Sequence, residues 1–371
     1  MSNGSDPRRT VAVVGGGYGG FAAAKALDES ADVTLIEPRD AFVHNVAALR
    51  ALVEPEWLPR IFLPYDHLLR NGRVVRARAV EVDAGRVGLS TGEELRPDAI
   101  VLATGSTYPF PAKTHTDDTA VTISRYREGH DQLARAGSVL IVGAGPTGLE
   151  LAGEISDRWA EKRVTVVEEA PDVLSGPYRQ ELRDEVRRQL EERGVRLVLG
   201  EALTAEPDLP PVTYGNVAVS TVAGRAIEAE IWFRCYGLAP VSNYLTGELA
   251  AARRPDGSIE VMPTLQVPGH PNVFALGDVS AADLKTAGRA GREAKTAAAN
   301  VRARFEGREL DPYEPSPPAI LIPLGPTGGA SELPGQPEIA GPEPTTTMKG
   351  AHLFVDRYRE EFGLQEAAAR S

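Results

Sequence analysis

The chain has 371 residues, 42% hydrophobic and 25% charged, a mixture that packs into folded domains and is long enough for two or three of them. With 52 acidic against 40 basic residues the formal net charge is −12, which disfavours nucleic acid or an anionic membrane as the principal partner but leaves room for a local dinucleotide pocket. The single cysteine, Cys235, excludes an intrachain disulfide and any dithiol catalysis by this chain alone, and it fits a reducing compartment.

In chain order, Met1 to Asp6 lack the basic-then-apolar pattern of a secretory signal, and Ser2 stands where myristoylation requires glycine. Residues 10–14 form a short β-branched run that enters a glycine turn and then an alanine-rich helix reaching Leu27, with a further strand at 33–36. Strands are expected at 75–83, 87–90 and 99–102, with Asp83-Ala84-Gly85 as a turn. The opening pattern then repeats: a strand at 138–142, a glycine turn, a helix reaching Trp159 and a strand at 164–167. Later strands are expected at 195–199, 217–222, 230–235 and 273–276, followed by an alanine-rich helix over 284–304. Residues 315–344 are dense in proline and glycine, yet the run from Ala319 to Leu324 is too apolar to be left in water. An ordered third region with an edge strand is expected there, ending in a helix over about 351–362. Arg370-Ser371 carries no prenylation box, and no apolar run approaches the ~20 residues that span a bilayer. These features predict a cytoplasmic protein without a stable membrane anchor.

The first glycine turn contains Gly15, Gly17 and Gly20 in Gly-x-Gly-x-x-Gly spacing. The first allows the tight turn, the second lets backbone approach a pyrophosphate, and the third lets helix and strand pack closely. The helix amino terminus then offers free N–H groups and a positive dipole end to that pyrophosphate. Glu37 closes the next strand, where a carboxylate accepts hydrogen bonds from a ribose. Gly143, Gly145 and Gly148 repeat the motif, with Glu168 as the closing acid. A carboxylate there repels a 2′-phosphate, so NADH is expected over NADPH, while Arg163, near in sequence, leaves room for a modest NADPH activity.

Ala103-Thr104-Gly105 after a buried strand, and Gly277-Asp278 after a strand late in the chain, indicate that the first dinucleotide is FAD. Asp278 is expected to accept a hydrogen bond from a ribityl hydroxyl. The helix beginning near Thr286 would aim its amino terminus at the flavin pyrimidine, and Lys285 would either add positive charge there or be solvated. Glu150, in the first turn of the second-motif helix, has two readings: a solvated face shared with Glu154 and Asp157, or a group facing the flavin edge. Cys235 reads as packing. His44 and His67 look isolated, and no cluster has metal-ligand spacing.

The fold class is therefore α/β: two Rossmann-like dinucleotide-binding domains, for FAD and NAD(P), plus a small carboxy-terminal α+β domain. The expected limits are 8–110 with 261–311 for FAD, 111–260 for NAD(P)H, and 312–371 for the carboxy-terminal interface domain.

Asp40-Ala41-Phe42-Val43-His44-Asn45-Val46-Ala47-Ala48-Leu49-Arg50-Ala51 resembles the segment after the first βαβ unit in one branch of the two-dinucleotide-binding flavoproteins, the apoptosis-inducing-factor-like and ferroptosis-suppressor-like proteins. Lys349-Gly350-Ala351-His352-Leu353-Phe354 is similar to that branch's Lys-x-x-x-x-Phe, and the resemblance runs from Val11 to about Phe354. It implies NAD(P)H:quinone reductase activity, with Lys349 and Phe354 beside the active site and Glu150 as the glutamate after the second motif. It also implies FAD contacts from Val80, through its backbone near the adenine, and from Arg50. Cysteine-dependent branches are excluded, because Cys235 matches none of their positions.

The expected reaction passes hydride from NADH to the flavin and two electrons onward to a quinone-like small molecule. Glu150 and Lys349 would handle protons, and Phe354 would stack or gate. Asp356, Glu360 and Glu361 make the last helix a poor lipid anchor, which favours a soluble acceptor. Two alternatives stand beside this: a ferredoxin or rubredoxin reductase docking its partner on Arg187, Arg188 and Arg193, and a slow-turnover NADH-binding redox sensor. The oligomeric state is open, a homodimer included.

Overall fold

Residues 8–364 are described in this computed structural model; the readings placed on Met1 to Asp6 and on Arg370-Ser371 lie outside them. Thr10–Val14 runs parallel to Asp32–Ile36 on one side and to Ala99–Leu102 on the other. Val11, Val13 and Val14 are almost wholly buried, as a parallel sheet covered on both faces requires. The complete six-stranded order is Gln266–Val267, His270–Ala275, Ala99–Leu102, Thr10–Val14, Asp32–Ile36 and Arg73–Val75. Chain from beyond residue 260 thus returns to the sheet begun at residue 10. The helix Ala287–Phe305 follows it and packs on the first-motif helix Tyr18–Leu27 through Ala23, Ala24, Ala294 and Ala297. Small side chains let these helices approach closely: a Cβ on Gly19 would lie 3.4 Å from Ala290 O of the facing helix.

The second sheet is wholly parallel, in the order Arg196–Leu199, Arg163–Glu168, Ser138–Val142, Ile231–Arg234. Its glycine turn leads into the helix Pro146–Arg158.

Several expected boundaries differ: the last helix starts at Val355 rather than near 351, the strand expected at 273–276 is His270–Ala275, and two more differ for visible reasons. The single strand over 75–83 is split: Arg73–Val75 closes the six-stranded sheet, whereas Ala79–Asp83 pairs antiparallel with Arg86–Leu89. The chain turns between them, with Ala77 N bonded to Val75 O, and β-branched residues on both sides of that turn hide it from a propensity reading. The late helix begins at Ala287 rather than 284, because Thr286 caps it by accepting from Arg289 N.

The apolar run near 320 is buried. Ile320–Leu324 and Gly328–Glu332 form an antiparallel hairpin on the helices Pro146–Arg158 and Gln180–Glu192. Gly153 is the contact point, where a Cβ would sit 2.5 Å from Leu324 Cα. Beyond the hairpin come Pro342–Thr345, a π-helical turn Thr346–Gly350, and the helix Val355–Glu361. Tyr358 and Phe362 close onto Tyr18, Phe21 and Phe42 of the first unit. The carboxy-terminal segment therefore packs on the second unit with its hairpin and on the first with its helix. Among the described residues no helix is long and apolar enough to cross a membrane.

Candidate functional site

Both glycine motifs form the same cradle. A Cβ on Gly15 (φ +100°) would meet Ala103 O at 2.5 Å, and one on Gly20 would meet Gly15 O at 1.7 Å. In the second motif Gly143 (φ +107°) stands 2.6 Å from Cys235 O by the same measure, and Gly148 1.9 Å from Gly143 O. The middle glycines behave differently: a Cβ on Gly17 or Gly145 would meet nothing within 4 Å. Each middle glycine is also the N-cap of its helix and provides no side-chain cap. The outer glycines thus serve the protein's own packing, while the middle ones leave a gap beside uncapped N–H groups. That geometry fits a pyrophosphate.

The closing acids are braced alike. Glu37 accepts from Gly16 N at 2.7 Å and Arg39 N at 3.1 Å, and Glu168 accepts from Ala144 N at 2.7 Å and Ala170 N at 3.0 Å. Bonds of this kind fix the position and orientation of each carboxylate at the edge of its cradle. Arg163 opens the strand that Glu168 closes, roughly 17 Å away at about 3.3 Å per residue. Arg163 is therefore not beside Glu168, because proximity in sequence is distance along a strand.

A cleft of about 330 Å³ runs from the first cradle to Pro146 and Thr147 at the start of the second-motif helix. Its walls include Gly15, Gly17 and Glu37 from the first motif; Thr104 and Gly105; Gly277, Asp278 and Lys285; and Glu150 with Lys349. Thr104 Oγ1 donates to Val241 O at 2.6 Å, and Lys285 Nζ donates to Asp278 O at 2.8 Å. The capped start of Ala287–Phe305 also opens here through Thr286 and Ala287. Asp278 accepts from Ser106 Oγ at 2.6 Å and from Lys113 Nζ at 2.9 Å. Burial alone would raise its carboxyl, but Lys113, Ser106 and Lys285 together hold it below the usual range. Lys113 was not singled out from sequence: a lone lysine in a proline-rich turn carries no local signal.

Glu150 and Lys349 meet in the same cleft, Nζ to Oε1 at 2.8 Å, and Lys349 also donates to Leu321 O at 3.1 Å. Their side chains are only 14% and 13% exposed, which decides against a solvated helix face. Burial pushes the Glu150 carboxyl up despite the opposing pull of Lys349. Glu154, one turn further on, is buried as well and pairs with Arg50.

Eight expected site residues do not line this cleft: Gly20, the second-motif residues Gly143, Gly145, Gly148 and Glu168, and Arg50, Val80 and Phe354. Arg50 is turned inward by Glu154, donates to Gly350 O at 3.1 Å and lies over the Trp57 ring. Val80 is 46% exposed on the small antiparallel sheet. Phe354 packs against the cluster containing Tyr358, edge-on to His352. His44, which looked isolated, is wholly buried between Tyr18 OH (3.0 Å from Nδ1) and Leu353 O (2.7 Å from Nε2). Cys235 packs in the core, its thiol pushed up to about 12 by burial. No group of side chains among the described residues is arranged to hold a metal ion.

Two parallel sheets, each opening on a glycine cradle and closing on a braced acid, with one cleft between them, define a two-dinucleotide-binding α/β oxidoreductase. Residues 9–299 match the model of the pyridine nucleotide-disulphide oxidoreductases, and the chain belongs to that family. It is 30% identical to apoptosis-inducing factor homolog B of Dictyostelium discoideum over 95% of this chain and 96% of that protein. It is 32% identical to ferroptosis suppressor protein 1 of Taeniopygia guttata over 94% of each. Its fold is similar to that of a sulfide:quinone oxidoreductase from Aquifex aeolicus, with a TM-score of 0.74, 18% identity, and 97% and 93% of the two chains covered. The protein is an FAD-dependent oxidoreductase that uses NAD(P)H.

Proposed function

We propose that the protein is an NADH:acceptor oxidoreductase whose acceptor is a small quinone-like molecule, and that it works in the cytoplasm. The observation that carries this reading is the half-buried Glu150–Lys349 pair in the cleft between the two cradles. FAD is held by Gly15, Gly17, Gly20, Glu37, Thr104, Gly105, Gly277 and Asp278, within domain limits of 8–110 and 261–311. NADH is held by Gly143, Gly145, Gly148 and Glu168, within 111–260. The flavin, when bound, supplies hydride acceptance and two-electron donation.

A quinone takes up two electrons and two protons, whereas a hydride carries two electrons and one proton. The second proton has to come from a donor at the acceptor. Lys349 is that donor, and Glu150 holds it at the cleft wall and relays the replacement proton from water. The positive helix end at Thr286 and the Lys285 ammonium stabilise negative charge in the cleft while the proton arrives. The low exposure of the pair keeps competing water out.

The alternative of a ferredoxin-docking surface loses its cations. Arg187 pairs with Asp184 and Asp172, Arg188 with Glu185 and Glu192, and Arg193 with Asp157.

The test is an anaerobic titration with NADH followed by a soluble benzoquinone. The flavin band is expected to bleach and to return promptly. Glu150→Gln and Lys349→Met are expected to slow the return while leaving the bleaching intact. A band that stays bleached with quinone refutes the acceptor class, and a protein that takes up no FAD refutes the whole assignment.

A further inference from the structure

The segment 44–50 reaches the tail of the chain at two points. His44 Nε2 bonds Leu353 O at 2.7 Å, and Arg50 Nη2 donates to Gly350 O at 3.1 Å, both in buried surroundings. A carbonyl only accepts, so Nε2 carries the hydrogen and Nδ1 is left to accept the Tyr18 hydroxyl at 3.0 Å. Tyr18 OH in turn accepts from Val46 N at 3.1 Å. The imidazole is therefore fixed on both sides, as one tautomer.

Arg50 is fixed as firmly. Its guanidinium pairs with Glu154, which lies one turn beyond Glu150 on the same helix. The two carbonyls gripped by this segment belong to the residue directly after Lys349 and to the residue four places after it. The backbone between them has turn bonds of its own, Ala351 N to Thr346 O at 3.0 Å and Leu353 N to Lys349 O at 2.7 Å, but its path is a strained one. A π-helical turn covers Thr346–Gly350, and Leu353 (φ +47°) and Phe354 (φ +60°) both sit in the left-handed region, which disfavours non-glycine residues. Such a path persists only where the surroundings hold it.

We propose that His44 and Arg50 are positioning residues: they grip the carbonyls of Leu353 and Gly350 so that the strained turn delivers Lys349 Nζ to Glu150 in the cleft. The catalytic part of this inference rests on the proton-handling reading of the Glu150–Lys349 pair. The positioning part does not.

The two parts separate in one set of holoenzyme variants. His44→Leu removes the grip, and His44→Gln retains an N–H able to reach Leu353 O. Arg50→Met with Glu154→Met removes the second grip without stranding a buried charge. Amine acylation of Lys349, read by peptide mass, reports its release from Glu150 whatever the activity. It is expected to rise about tenfold in His44→Leu and in the double variant, the scale of one lost buried hydrogen bond, and to return to within about twofold of wild type in His44→Gln. Unchanged acylation in folded, FAD-loaded His44→Leu overturns the proposal.

Flavin reoxidation by a soluble benzoquinone is expected to slow about tenfold in His44→Leu, while bleaching by NADH is unaffected. In a Lys349→Met background His44→Leu is expected to cost nothing further. A His44→Leu penalty that persists at full size in that background overturns the positioning route. Faster acylation together with quinone reoxidation unaltered by Lys349→Met would instead confirm the positioning and refute the proton-handling role.

Discussion

Gly145→Ala separates the role of the cradle from that of the fold. The backbone at Gly145 is extended (φ −73°, ψ 179°), a conformation alanine adopts freely, and the added Cβ meets no atom within 4 Å. Folding should therefore change by no more than about 0.5 kcal/mol. The methyl instead occupies the gap beside the helix amino terminus, with a radius of about 2 Å, and a pyrophosphate must retreat by an ångström or more. Charge-assisted hydrogen bonds fall away steeply over that distance, and each is worth about 1.5–3 kcal/mol. Loss of one corresponds to a roughly 10- to 150-fold rise in the NADH dissociation constant. The assay is the NADH concentration dependence of anaerobic flavin bleaching, with flavin content and melting temperature measured on the same preparation. FAD should be retained, because the first cradle is untouched. Gly17→Ala, equally open, should show the mirror image, losing FAD while staying folded. Gly148→Ala, whose Cβ would fall 1.9 Å from Gly143 O, should lose stability instead. An NADH affinity unchanged within twofold in Gly145→Ala, or a parallel loss of FAD, would refute the reasoning.

The remaining expectations are checked by comparable measurements. Glu168→Gln keeps an acceptor oxygen for Ala144 N but removes the charge, so the preference in kcat/KM for NADH over NADPH should narrow about tenfold; an unaltered ratio rules Glu168 out as the selecting group. Lys113→Met removes the main counter-charge of Asp278, whose carboxyl should then titrate higher; FAD should be retained about tenfold less tightly, measured by flavin release on dilution. Burial lifts the Glu293 carboxyl to about 7 from 4.5, so the native state keeps a proton that the unfolded chain releases between those values. That stability is full below pH 4.5 and is lost as pH rises through 7. Glu293→Gln should remove up to about 3 kcal/mol of the slope, and parallel curves of melting temperature against pH would contradict this. His44 acts on the acid side. Burial lowers it from 6.5 to about 4, so its contribution is present above pH 6.5 and is lost as pH falls through 4, and His44→Gln should flatten that limb by a similar amount.

What was legible in the sequence follows from how far apart the interacting residues lie. Each cradle is written in a few consecutive positions, with strand, glycines, helix and closing acid all local, so Gly15 to Glu37 and Gly143 to Glu168 were readable as units. The return of His270–Ala275 to the first sheet was readable only through its Gly277-Asp278 ending, since nothing in a short apolar strand names its neighbour. The contacts around His44 were invisible for the same reason: its partners are Tyr18 and Leu353, the latter 309 residues away. Arg50 entered as an FAD contact only through the family resemblance, since nothing local shows which way its side chain turns. Only the structure reveals Glu154, 104 residues on, turning it into the core. The split after Val75 was hidden because a β-branched run looks the same on either side of a turn.

The second-motif helix is what makes these pieces one site. Its amino terminus forms the gap at Gly145, its second turn directs Glu150 into the cleft, and the next turn gives Glu154 to Arg50. The hairpin that precedes Lys349 rests on the same helix at Gly153, and Lys349 donates to a carbonyl of that hairpin, Leu321 O. A rigid helix therefore sets the distance from nucleotide cradle to proton pair, while the strained turn sets only whether Lys349 arrives. Loss of the His44 or Arg50 grip should accordingly disturb the acceptor step and spare NADH oxidation, because the cradle proposed for NADH lies at the end of the helix that those residues do not hold. A change at Gly145 should do the reverse. The two half-reactions share one helix but depend on different turns of it.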